Sequence, residues 1–253
     1  MTKRGAGGTA ALAALAVASV AFGYILPGPS ILKRLAEGRD ELQLATLKVD
    51  GTLSFFGSAA REAGAALGLP ADRDELQVDA AASLKVPGRC RLEASSLDTG
   101  KSSAAIDSHA KRRAEGNELA SLAVALEQLC PLLASRSATG GESRQAIERH
   151  LAALKVDINK VSLARQGGQV VYVLGEPAEG SPQLWVYKDN FMPARLRFAA
   201  DGLAWDLRLL DYSSPATGEW FPRVVELDRK GEPWLRFTGL TADAKAKLDD
   251  KLF

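Results

Sequence analysis

The chain has 253 residues, 46% hydrophobic and 25% charged, with 32 Lys and Arg against 31 Asp and Glu. This balance suits one large domain or two small ones, and it excludes a disordered tail, a collagen-like chain and a multi-span membrane protein. A net charge of +1 with no strongly basic element argues against nucleic-acid binding. Two His and two Cys leave little material for a His-rich metal site or a His-based triad.

Residues 1–29 have the form of an export signal. Lys3 and Arg4 precede an uncharged apolar stretch of 18 residues from Thr9 to Leu26. Small residues in Ala16-Val17-Ala18 and Ala21-Phe22-Gly23 offer cleavage sites, and Pro27-Gly28-Pro29 then breaks the segment. An 18-residue apolar stretch can also just cross a bilayer, so a retained anchor is the alternative. In both cases residues 30–253 are expected to form a single exported domain, in the periplasm or cell envelope. Without Lys3 and Arg4 the net charge becomes −1. Export favours joining Cys90 to Cys130, with two separate buried thiols as the alternative.

Ser30 is expected to cap a helix over 31–43, with Ile31, Leu32, Leu35 and Leu42 on one side. The period then changes to two. Over 45–55, Leu47, Val49, Gly51, Leu53 and Phe55 alternate with Lys48, Asp50, Thr52 and Ser54, which reads as a half-buried strand. The Ala-rich stretch 57–76, with Gly57, Gly64, Gly68 and Pro70, reads as a loop or weak helix. Alternation resumes over 78–86 and again over 89–95, and Pro87-Gly88 between them makes a hairpin. A further short strand is expected over 104–113.

Apolar residues at 3–4 spacing, from Leu119 through Leu122, Leu126 and Leu129 to Leu133, predict a helix over 117–134. A second helix follows over 143–154. Seven strands are then expected, over 157–165, 169–175, 183–188, 194–199, 204–211, 221–228 and 232–238. Turn signals such as Gly167-Gly168, Asp201-Gly202 and Lys230-Gly231 separate them, which makes neighbours antiparallel. A short charged helix is expected over 242–253. The fold class is therefore α+β.

Catalytic patterns are weak. In Asp107-Ser108-His109 adjacent strand residues point to opposite faces, so a triad cannot assemble locally. His150 reads as a favourable charge near a helix C-terminus. Lys111-Arg112-Arg113 reads as a solvated charge cluster, with docking of an anionic lipid headgroup or a partner as the alternative. The apolar strand faces need a cover, and the three helices carry matching stripes. The same residues would serve either a plain sheet-and-helix core or a cavity under movable helices. Periodicity alone does not separate the two.

Several segments carry a resemblance. Leu47-Lys-Val-Asp-Gly-Thr-Leu53 opens the strands. Ser83-Leu-Lys-Val-Pro-Gly-Arg-Cys-Arg-Leu-Glu93 forms a strand-Pro-strand hairpin. Later come Asn190-Phe-Met-Pro-Ala-Arg-Leu-Arg-Phe198, Asp211-Tyr-Ser and Gly218-Glu-Trp-Phe-Pro-Arg-Val-Val225. Together with the order of elements across 31–240, these resemble the periplasmic lipoprotein carrier and sorting family, LolA-like and LolB-like proteins. The resemblance implies an incomplete antiparallel barrel, a half-barrel, with helices as a lid over a hydrophobic cavity that receives acyl chains bound for the outer membrane. It implies a non-catalytic protein without a cofactor, monomeric and touching the membrane transiently or through its N-terminal segment.

Cavity-lining residues are then expected to be Leu47, Val49, Leu53, Leu84, Leu92, Leu196, Trp205 and Leu207. Leu122, Leu126 and Leu129 would lie on the lid, tethered by Cys90–Cys130. Two departures stand out. The family's lid-locking Arg just before the hairpin Pro is replaced by Val86, and no lipid-anchoring Cys is present near the N-terminus. A sensor or protein-binding module on the same fold is the alternative function.

Overall fold

The computed structural model describes residues 25–135 and 141–253. The expected signal segment and its cleavage sites fall largely outside them. Among the described residues no helix is long and apolar enough to cross a membrane.

The chain enters through helix α1 (Gly28–Glu41). It starts two residues before the expected Ser30 cap, with Pro27 at the N-cap position and Pro29 in the first turn, where a missing N–H costs nothing. Gly28 is required by contact: a Cβ there would lie 1.8 Å from the Ile158 carbonyl oxygen. Strand β1 (Thr46–Phe56) follows as its alternation predicts. Of the two forms expected over 57–76, a loop or a weak helix, the structure has the helix, a regular one, α2 (Ser58–Leu67), burying Ala59, Ala60, Ala63 and Leu67. Alanines give it good propensity but a faint stripe, and Gly68 ends it in the left-handed conformation at φ 69°.

Strands β2 (Glu75–Lys85) and β3 (Arg89–Ser96) form the expected hairpin. The single strand expected over 104–113 is a second hairpin, β4 (Lys101–Ser108) and β5 (Lys111–Glu115). His109 and Ala110 make its two-residue turn, both at positive φ (54° and 64°), the backbone that matches strand twist. Helix α3 (Ala120–Leu133) starts three residues later than expected, because Asn117 instead caps α2, donating Nδ2 to the Ala66 carbonyl at 3.1 Å. Helix α4 (Gly141–Ala153) completes the middle of the chain.

The remaining strands are β6 (Val161–Gln166), β7 (Gln169–Leu174), β8 (Gln183–Tyr187), β9 (Pro193–Ala200), β10 (Leu203–Leu210), β11 (Val224–Arg229) and β12 (Glu232–Asp243). Two of them start late. Asp157 is drawn into a turn by the Asn159 N–H, and Phe221 precedes Pro222, which has no N–H for a ladder. The expected helix over 242–253 is not formed. Ala242 and Asp243 pair with Val49 and Lys48 of β1 instead, and only a 3-10 turn at Asp250–Leu252 remains. That tail is tied down by Asp250 on Lys85 and Arg89, and by the Leu248 carbonyl accepting from Lys85.

All twelve strands form one antiparallel sheet in the order β5-β4-β3-β2-β1-β12-β11-β10-β9-β8-β7-β6. It is open, and β5 and β6 are its edges. The chain between these two edges carries α3, which packs on β3 and β4, and α4, which packs on α1 and α3. The first and last strands meet in the middle, where β1 pairs with β12.

Candidate ligand site between sheet and helices

Cross-strand registers align one apolar side chain per strand across eight neighbours. The row runs Leu174, Leu184, Leu196, Leu207, Leu227, Leu235, Phe55 and Leu76. A parallel row includes Val225, Phe237, Leu53 and Val78. Alternation places these side chains on one face, and charged residues such as Arg208, Glu226 and Arg236 on the other.

The structure gathers every sequence-predicted apolar residue at this face. Leu47, Val49, Leu53, Leu84, Leu92, Leu196, Trp205 and Leu207 are 0–6% exposed and share one core with Leu122, Leu126 and Leu129. The cover is made of Ile31, Leu32 and Leu35 from α1, Ala63 and Leu67 from α2, the α3 leucines, and Ile147 and Leu151 from α4. In this conformation the helices themselves occupy the face. Leu126 borders a cavity of about 200 Å³ between α3 and the β4–β5 hairpin.

Trp205 lies at the centre of an aromatic group. It stacks with Phe198 at 6.2 Å and meets Trp234 at 4.7 Å, with the Arg229 guanidinium over Trp234. Trp234 Nε1 is buried without a hydrogen-bond partner among the described residues.

Cys90 and Cys130 are joined in a disulfide, with Cα atoms 5.8 Å apart. It fastens the C-terminal end of α3 to β3. The adjoining turn adds to this, because the Gly88 N–H donates to the Ala134 carbonyl at 2.9 Å.

Several contributors were not anticipated. Arg39 of α1 is 4% exposed and donates Nη2 to the Leu133 carbonyl at 2.7 Å and Nη1 to the Trp220 carbonyl at 2.9 Å. Its Nε has no partner among the described residues, and burial pulls its pKa below the ordinary arginine value despite the nearby Tyr212. One cation thus joins α1, the last carbonyls of α3 and the segment between β10 and β11. Arg39 falls four residues after Leu35 on the same helical stripe, and that spacing was the available signal. The β10–β11 connection itself buries Thr217 and Phe221, with Phe221 edge-on to Phe237 at 5.8 Å.

The polar candidates resolve differently. Asp107 accepts from the Ala110 N–H rather than from His109, so no triad assembles there. Arg112 pairs with Glu127 at 2.8 Å and with Asp107 at 3.5 Å, and Arg113 pairs with Glu115. His150 is not a charge at a helix end. Burial, reinforced by the Arg112 charge, lowers its pKa to about 4, so the imidazole is neutral at pH 7. Among the described residues no group of three or more His, Cys, Asp or Glu could hold a metal ion.

No protein-family model matches the sequence, and no curated protein sequence matches it. Solved structures do match. A LolA superfamily protein from Nitrosomonas europaea is 13% identical with a TM-score of 0.50, over 90% of this chain and 98% of that one. An outer membrane lipoprotein-sorting protein domain from Vibrio parahaemolyticus is 12% identical with a TM-score of 0.45, over 88% and 94%. A DUF1329 family protein from Desulfovibrio piger is 11% identical with a TM-score of 0.43, over 89% and 96%. The open twelve-stranded sheet under its helices is therefore a LolA-like half-barrel.

Proposed function

We propose that the protein is a non-catalytic carrier of the cell envelope that binds acyl chains, of lipoproteins or of a similar lipid, between the concave sheet and its helices. The observation that supports this reading is the construction of the cover. A continuous apolar face spanning eight strands is closed by separate helices rather than by a second sheet. A chain of about ten methylenes offers ~8 kcal/mol of apolar burial. The α1 stripe of Ile31, Leu32 and Leu35 contributes ~5–9 kcal/mol by the same measure. Lipid and helix are thus close competitors for one surface, which is what reversible loading requires.

The disulfide holds α3 at one side of the sheet, so α1 and α4 are the elements free to yield. Leu47, Val49, Leu53, Leu84, Leu92, Leu196, Trp205 and Leu207 then form the wall the chain meets, with Leu122, Leu126 and Leu129 as the fixed part of the cover.

The test is native mass spectrometry of protein purified from an envelope fraction, joined to quenching of Trp205 and Trp234 fluorescence by a brominated fatty acid. Copurified acylated species and saturable quenching are expected. A protein that carries no acylated species and shows no saturable quenching would overturn the reading.

A further inference from the structure

A second cavity lies outside the apolar interface, where the β2–β3 and β4–β5 turns meet the end of α3 and the face of α4. Its volume is about 750 Å³, within the range of small-molecule sites. Pro87, Pro131 and Ala146 give it an apolar floor beside Cys130 of the disulfide. Both of the protein's histidines line it, together with Arg112 and Arg149.

Arg112 is already paired, with Glu127 at 2.8 Å and with Asp107 at 3.5 Å, so the donors left over there are those of Arg149 and the two histidines. The Asp107 carboxylate is occupied by the Ala110 N–H and by Arg112. Arg149 spends only its Nε, on the Gln145 carbonyl of its own helix, and has no ion pair among the described residues. His109 is exposed at the mouth, and His150 holds a buried Nε2 without a partner among the described residues. Among the described residues Glu142 is the one acid facing the cavity that is not drawn into an ion pair, and it lies exposed to solvent at the rim. An apolar floor beneath the remaining Arg149 and imidazole donors matches an amphiphile with an anionic end.

We propose that this cavity seats the anionic headgroup of the bound lipid, a phosphate or a carboxylate, held by Arg149 and His109 at the mouth and by His150 deeper in. The inference rests on the acyl-chain reading and adds to it the charge class of the ligand and the end of the half-barrel where that charge stays.

The experiment compares decyl phosphate, decanoate and neutral decyl maltoside, each below its micellar concentration, on the wild type and on Arg149→Glu and Ala146→Trp. Arg149 is exposed and Ala146 is partly so, and both variants keep the core intact. The wild type is expected to bind the anionic ligands more tightly than the neutral one. Both variants should weaken the anionic ligands about tenfold or more while leaving the neutral one unchanged. The side-chain NMR signals of the two histidines should move on saturation with the anionic ligands. A tighter fit of decyl phosphate assigns a phospholipid-type headgroup and a tighter fit of decanoate a carboxylate, and either supports the site. Equal wild-type affinity for all three ligands, unchanged anionic affinity in both variants, or motionless histidine signals would overturn the headgroup site alone. Failure of the wild type to bind any of the three would overturn the acyl-chain reading as well.

Discussion

At the scale of single residues, the polar groups placed in this apolar architecture have the most direct consequences. His150 titrates at about 4 in the folded chain, against an ordinary value of 6.5. Between those two pH values the unfolded chain binds more protons than the folded one, so stability rises with pH across this window. It is lost as pH falls from 6.5 toward 4, and the loss levels off below 4. A shift of this size corresponds to ~3 kcal/mol. The groups around the imidazole are Arg112 from β5, Asp107 and His109 from the β4–β5 hairpin, and Arg149 from α4 itself. Urea unfolding at pH 7 and pH 4 should show the wild type losing about 3 kcal/mol more than His150→Gln. Equal losses in the two proteins would show that the imidazole carries no linkage. The sequence placed His150 near a helix end but gave no view of Arg112 or of the packing above it. Its charge state depends on contacts between elements 38 residues apart, which no local pattern encodes.

At the scale of elements, period-two alternation made β1, β2, β3 and the β7–β12 meander legible, because each presents one face to the core and one to solvent. The elements that were left open or misread lack that contrast. Helix α2 buries alanines and glycine, whose stripe is faint. Strand β5 is an exposed edge with three consecutive cations, a common guard against edge-to-edge pairing. The last residues of β12 look helical by charge spacing but are captured by register with β1. The disulfide was visible as a pairing of the only two cysteines, and its position now assigns it a role. Closing a loop of 40 residues, it contributes ~3–4 kcal/mol in the chain-entropy model. It also holds α3 to β3 whatever the other helices do. Amide exchange should therefore accelerate in α3 when Cys130→Ser removes the bond, with α1 changed far less. Uniform acceleration through both helices would mean that the cover moves as one body and that the staple fixes nothing in particular.

At the scale of the whole molecule, the cover divides into a fastened part and a yielding part. The fastened part is α3, joined covalently to β3 and capped by the Gly88 N–H of the hairpin turn. The yielding part is α1, held to α3 and to the β10–β11 connection through the Arg39 guanidinium, and to α4 through the Ser143 hydroxyl donating to Asp40 at 3.2 Å. Hydrogen bonds from a charged donor to carbonyls contribute ~1.5–3 kcal/mol each, and here they are offset by the cost of keeping a guanidinium dry. An acyl chain that takes the sheet face must displace the Ile31, Leu32 and Leu35 stripe and so expose α1. Trypsin can read this displacement selectively. Helix α1 carries Lys33, Arg34 and Arg39, while α3 contains no Lys or Arg. Decanoate at saturation should therefore speed tryptic cleavage after Lys33, Arg34 and Arg39, with the stapled helix left intact. Slower cleavage of α1 in the presence of decanoate would mean that the ligand binds beneath a cover that tightens. The entry route would then have to lie at the unfastened edge near β6 rather than through α1.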